Sequence, residues 1–241
     1  MKRIIFVFCV LFSTNLSYSQ DIVLEIGEWP PYTTNSKNGL ATELVIAACN
    51  SVGLKYIISN VPWLRAEKNV EAGLAFATFP YTINEERKSK YLFSDPIFKS
   101  TNLIIYNNQN MKININSINS INAFKYYKVG TTTGSESIIK PLRNIGAEVE
   151  TTETIDLSMK KLQSGRIDFI IEDSLVIKDL LKRYQDQRIV LINKKIIDLD
   201  REYCIMVTKN STNSLDYLER INKGIKLIHN SGEYQKIVSK Y

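Results

Sequence analysis

The sequence predicts an α/β protein made of two tandem β-α-β units, each a mostly parallel sheet flanked by helices. Three observations carry this. Strand-length apolar runs alternate with segments at helical spacing in both halves of the chain. A polar, asparagine-rich connector, Asn107–Asn122, separates the halves. A last strand and helix find no partner within the second unit, so the economical path returns them to the first. A chain of 241 residues, 44% hydrophobic and 23% charged, suffices for one large domain or two modest ones with real cores.

Residues 1–19 stand apart. Lys2-Arg3 is a basic start, Ile4–Phe12 is apolar, and Ser17-Tyr18-Ser19 offers small residues before a cut. This is the pattern of a secretory signal peptide cleaved after Ser19. The run is far shorter than the roughly 20 residues a membrane span needs.

In the first unit, Asp21–Gly27 alternates as a strand and ends in Glu28-Trp29-Pro30-Pro31-Tyr32, a stiff loop with two aromatics. Two readings stand: a packed corner, or an aromatic wall over a ligand. Gly39–Val52 has Leu40, Leu44, Ala47 and Ala48 at helical spacing and Gly53 as a stop. Lys55–Ser59 is a strand, Pro62-Trp63-Leu64-Arg65 opens a helix to Ala72, and Leu74–Ala77 is a third strand that ends at Thr78. A loop then carries Thr78, Tyr81, Thr82 and Arg87. In parallel sheets ligands sit beyond the carboxyl ends of the strands, where the loops at Trp29–Tyr32 and Thr78–Arg87 both fall. An arginine among hydroxyls suits a carboxylate, held through paired hydrogen bonds; the plain alternative is that Arg87 neutralises Glu85, Glu86 or Asp95.

Thr101–Tyr106 is a strand leading to the connector. The second unit opens with Tyr126–Gly130, and Thr131-Thr132-Thr133-Gly134-Ser135-Glu136 turns into a helix near Pro141. Either Ser135 caps that helix, or the turn cradles an anion. Ala147–Thr151 is a strand, Leu157–Ser164 a helix, and Arg166–Asp173 a buried strand. Asp173 either caps the helix Ser174–Tyr184 or faces a cation. Ile196–Arg201 leads out, Tyr203–Thr208 is a strand, and Ser214–His229 and Gly232–Tyr241 are helices. The implied division is residues 20–106 with 202–241 in one lobe and 107–201 in the other. Hinges near 106–110 and 197–202 flank a cleft that closes on a ligand.

The formal charge of +6 falls with removal of Lys2 and Arg3, and the lysines are scattered among acids. No nucleic-acid face is expected, though anionic ligands are mildly favoured. With one histidine, His229, no metal cluster, cofactor or Cys–His pair is expected. Cys49 and Cys204 either form one long-range disulfide or lie buried as free thiols.

Several segments carry a family resemblance: Gly39–Leu44, the Val61–Ala66 helix start, Phe79–Arg87 with Phe93–Pro96, Gly130–Ser135, and Gly165–Asp173. In order and spacing they resemble the bacterial extracellular solute-binding proteins of family 3 over essentially the mature chain. The resemblance implies a two-lobed periplasmic binding-protein ("Venus flytrap") fold. It also implies capture of an amino acid or similar zwitterion, an ABC-type permease or a receptor as partner, a monomer and a periplasmic location. By the same resemblance Arg87 clamps the ligand carboxylate, Thr82 and Ser135 assist it, and Asp173 holds the ammonium. Tyr32 or Trp29 covers the side chain, with Thr78, Tyr81 and Trp63 nearby. Pro80 departs from a usual serine, and Glu136 from a frequent hydroxyl. Two alternatives accompany this reading: an enzyme similar to cyclohexadienyl dehydratases, using Glu28, Glu136, Glu172 or Asp173, and a sensory module without a permease.

Overall fold

A computed structural model describes residues 21–192 and 200–241. The signal-peptide segment and most of the exit from the second unit lie outside the described residues. The first unit runs β1 (Ile22–Ile26), α1 (Leu40–Ser51), β2 (Tyr56–Asn60), α2 (Trp63–Ala72), β3 (Ala77–Thr82), α3 (Glu85–Lys90) and β4 (Tyr91–Phe93). A long strand, β5 (Phe98–Asn107), leads to the second unit. There follow β6 (Lys128–Thr132), α4 (Glu136–Asn144), β7 (Glu148–Thr152), α5 (Ile155–Gln163), β8 (Phe169–Asp173), α6 (Ser174–Tyr184) and β9 (Ile189–Leu191). The chain returns through β10 (Asp200–Thr208) and ends with α7 (Ser214–Asn230) and α8 (Glu233–Val238).

The strands lie in the order β2-β1-β3-β10-β5-β8-β6-β7, with β4 on β10 and β9 on β5. Within each unit the three αβ strands are parallel, and β10 or β5 closes the set antiparallel. The strand β5, which crosses between the units, is therefore also a member of both sheets. In β5, Phe98–Thr101 pairs with β10, while Asn102–Tyr106 pairs with β8. The exchange of partners falls between Thr101 and Asn102, ahead of the Tyr106–Asn110 connector. The strand continues past it because successive residues there are buried on opposite faces of the second sheet: Ile104 joins Val129, Phe169 and Ile171, and Ile105 joins Met159, Ile170 and Ile177. Strands buried on both faces in this way are the mark of a parallel sheet covered by helices. The first unit has its own core, in which Leu24, Ile26, Leu44, Phe79 and Ile205 meet α7 at Ile221 and Ile225.

Two local expectations are corrected, and one open alternative is decided. The segment Thr78–Thr82 is strand, not loop: β3 is held by β1 and by β10, whose register shifts between Cys204 and Met206 opposite Phe79-Pro80. A proline has no N–H for a ladder, and an irregularity of this kind accommodates it. The asparagine-rich connector is not wholly polar surface. Two short 3₁₀ turns, Ile115–Ser117 and Ile121–Tyr126, fold Ile118 and Phe124, both fully buried, into the second core. Cys49 and Cys204 are free, buried thiols, and burial pushes both up to about 12, so they stay protonated and inert.

Candidate functional site

The first unit builds an aromatic and cationic wall. Beyond β1 the chain turns tightly, with Trp29 and Thr33 exchanging backbone hydrogen bonds of 2.9 and 3.0 Å and the Thr33 hydroxyl donating to the Gly27 carbonyl. Glycine is required at position 27, because a Cβ would stand 2.3 Å from the Trp63 ring. Trp63 lies over that bare backbone, donates to the Glu28 carbonyl at 3.3 Å, and meets Tyr81 edge-on. Arg87 comes from α3, whose start is set by Asn84 accepting from the Arg87 N–H. Its guanidinium sits 4.8 Å from the Tyr81 ring centroid, donates to the Thr82 carbonyl and hydroxyl at 3.1 and 3.3 Å, and pairs with Glu67 of α2 at 3.4 Å. Glu85, Glu86 and Asp95 pair instead with Lys88, Lys140 and Lys226. The aromatic face and several fixed acceptors hold the guanidinium in one place.

The second unit supplies a turn and the start of α4. Gly134 has φ +93°, in the left-handed region that glycine tolerates. Ser135 occupies the N-cap position of α4 yet makes no side-chain cap bond; its hydroxyl pairs with that of Thr132 at 2.9 Å. The capping alternative for Ser135 is therefore not realised. Thr132 in turn donates to Glu172 at 2.6 Å. Glu172 is almost fully buried, with Thr131 also donating to one oxygen and the Asp173 N–H to the other.

Between these walls lies a cavity of about 130 Å³, the scale of a small metabolite. Arg87, Thr82, Tyr81, Trp29, Trp63 and Ser135 line it. Three other sequence candidates do not. Thr78 is fully buried between β1 and β10 within the sheet. Tyr32 is also fully buried, stacked between Trp29 at 4.2 Å and Phe98 at 4.9 Å, so it is the packed corner of its loop and Trp29 is the exposed face. Asp173 is 1% exposed; it caps α6 through the Leu175 N–H at 3.1 Å and accepts a short hydrogen bond from the Tyr32 hydroxyl. Its other oxygen has no partner among the described residues.

Burial pushes the Asp173 carboxyl up to about 6, against bonds from Tyr32, Ser100 and Leu175 that favour the charged form; nearby Glu172 adds to the rise. Burial, with the Asp173 carboxylate beside it, drives the Tyr32 phenol far above its usual range. Since Tyr32 belongs to the first unit and Asp173 to the second, this bond ties the units together behind the cavity. Tyr32–Ser100 and Ser100–Ser174 hydroxyl pairs continue it, and Lys140–Glu86 bridges the units at 3.3 Å.

Sequence reasoning missed Glu67, Asn102 and Tyr203 in the lining. Glu67 was detectable, being one turn beyond Trp63 on the same helix face. Asn102 is a lone amide inside an otherwise apolar strand, a weaker signal. Nothing local marks Tyr203, which reaches the cavity only because β10 lies beside β5.

The fold and cleft define a two-lobed periplasmic binding-protein architecture, with two mostly parallel sheets joined by the crossing strand β5. The chain belongs to the bacterial extracellular solute-binding proteins, family 3, whose family model matches residues 22–241. A probable histidine-binding protein of Neisseria gonorrhoeae is 27% identical over 210 residues, spanning 84% of this chain and 74% of that protein. The L-cystine-binding protein TcyA of Bacillus subtilis (strain 168) is 25% identical over 89% of this chain and 78% of its own length. Among solved structures, an ancestral arginine-binding protein bound to arginine matches with a TM-score of 0.75 at 24% identity, covering 93% of this chain and 99% of that one. The GluR0 ligand-binding core of Nostoc punctiforme with L-glutamate matches at 0.76 and 21% identity, covering 91% and 98%. These two structures share the fold. A solute-binding role follows from membership of the family.

Proposed function

We propose that the chain captures an amino acid between its lobes and delivers it to an ABC-type permease, acting as a monomer in the periplasm. The lobes are residues 21–101 with 202–241 and residues 102–192, closing about β5 and β10. One observation carries the reading: Arg87, its side chain 16% exposed, is fixed by Thr82, Glu67 and Tyr81 and lines the cleft opposite the Ser135 turn and the start of α4. A carboxylate placed there meets a preset guanidinium. The relatives named for amino-acid binding support the same class of ligand. Among the described residues no helix is long and apolar enough to cross a membrane.

Binding is favoured over catalysis by the state of Asp173, Glu172 and Glu28. Asp173, the one raised into a useful range for proton transfer, does not line the cavity. Both Glu172 oxygens accept hydrogen bonds from protein donors, and Glu28 is exposed, bonded to Asn35. Calorimetry against an amino-acid panel tests the proposal: Arg87→Ala is expected to weaken binding by roughly 2–5 kcal/mol, about 30-fold or more. Unchanged affinity would remove Arg87 from the site, and turnover of prephenate or arogenate would replace binding with catalysis.

A further inference from the structure

The charges lining the cleft are unequal. Arg87 is the one lysine or arginine among the described lining residues, and Glu67, Glu136 and Glu172 stand against it. Two of these acids are already engaged: Glu67 with Arg87, and Glu172 with the Thr131 and Thr132 hydroxyls and the Asp173 N–H. Glu136 has no side-chain hydrogen bond or ion pair among the described residues. It is half-buried at the first position of α4, on the far side of the cleft from Arg87. A second observation marks the cavity as a ligand site. Asn102, on β5 where the strand changes lobes, is 4% exposed and lines the cavity, and its amide nitrogen is buried without a partner. A buried amide left unpaired is costly unless something else completes it.

A ligand with equal and opposite charges leaves this surplus of negative charge uncompensated. A ligand with one more cation reduces it, and Glu136 is the acid free to receive that cation in a partly desolvated cleft, where such pairing counts for more than at a surface. We infer that the cleft selects an amino acid with a cationic side chain, Arg87 taking the carboxylate and Glu136 the distal cation. This rests on the amino-acid reading above and names its substrate class.

The test is titration calorimetry of the full mature chain with arginine, with citrulline as its uncharged near-isostere, and with agmatine, which lacks the carboxylate. Arginine is expected to bind at least tenfold tighter than either analogue. Glu136→Gln should lower the arginine-to-citrulline ratio to below about threefold. Citrulline binding as tightly as arginine overturns the inference and leaves the amino-acid reading intact, as does an arginine preference that Glu136→Gln does not alter. Agmatine equal to arginine removes the carboxylate from the recognition and overturns the inference. Failure of every amino acid to bind overturns both readings. The wild-type comparison needs no variant, so instability of Glu136→Gln leaves the test standing.

Discussion

The corner after β3 and the corner after β8 occupy like positions in the two units, and each holds a charged residue at the end of a parallel strand. Their fates differ. Arg87 lies a turn beyond its strand, on a short helix capped by Asn84, and its long side chain reaches back over Tyr81 into the cleft. Asp173 is the last residue of its strand and the cap of the next helix, so its short side chain is spent on Leu175 and on Tyr32 from the other unit. A strand end brings a residue to the crevice, but capping and side-chain length decide whether its charge faces a ligand or seals the structure.

The sharpest way to break this comparison is Arg87→Ala. Beyond the 30-fold loss of affinity, its unliganded stability should change by less than about 1 kcal/mol, because its partners Glu67 and Thr82 remain near solvent. A large drop in melting temperature without ligand would make Arg87 a structural residue like Asp173.

For Asp173 the expected signature is pH. Its native carboxyl titrates near 6 against an ordinary 3.8, so the proton binds more tightly in the folded state. The stability it contributes is present in full below about 3.8 and is lost as pH rises through about 6. Asp173→Asn imitates the protonated form. Its advantage over wild type in thermal unfolding should therefore grow from pH 4 to 7, by on the order of 2 kcal/mol. A pH-independent difference would mean that the carboxyl is not desolvated.

Tyr32→Phe keeps the aromatic stack but removes the hydroxyl between the units. It should cost about 1–3 kcal/mol of stability, since Asp173 is left with less compensation. A neutral outcome in chemical denaturation would show that water replaces the phenol. The smallest effect belongs to Ser135→Ala. Because Ser135 makes no cap bond, unliganded stability should move by less than about 0.5 kcal/mol, against the 0.5–2 kcal/mol typical of a lost cap. A loss in the full capping range would return Ser135 to the helix and weaken its place in the cleft.

Much of this architecture was legible without coordinates. Periodicity marked the β-α-β order in both units, and the unpartnered last strand implied a return to the first. The aromatic pair at Trp29 and Tyr32 was also visible, but not which ring faces the cavity. That depended on Phe98 and Tyr203, residues far along the chain that close the stack behind Tyr32. The connector misled for a related reason: Ile118 lies among asparagines and Phe124 just past the connector's end, and only the second core shows where they go.

The sequence by itself determined the fold class, the two units and the presence of Arg87 with hydroxyls and aromatics at a strand end. Those depend on local period and short spacing, which chain neighbours impose. Only the tertiary structure decided that Tyr32 and Asp173, 141 residues apart, satisfy each other. It also decided that Asn102 and Tyr203 enter the cleft, and that Glu136 has no side-chain partner among the described residues. Whether a buried polar group is paired depends on what the other lobe brings against it, and no local pattern encodes that distance.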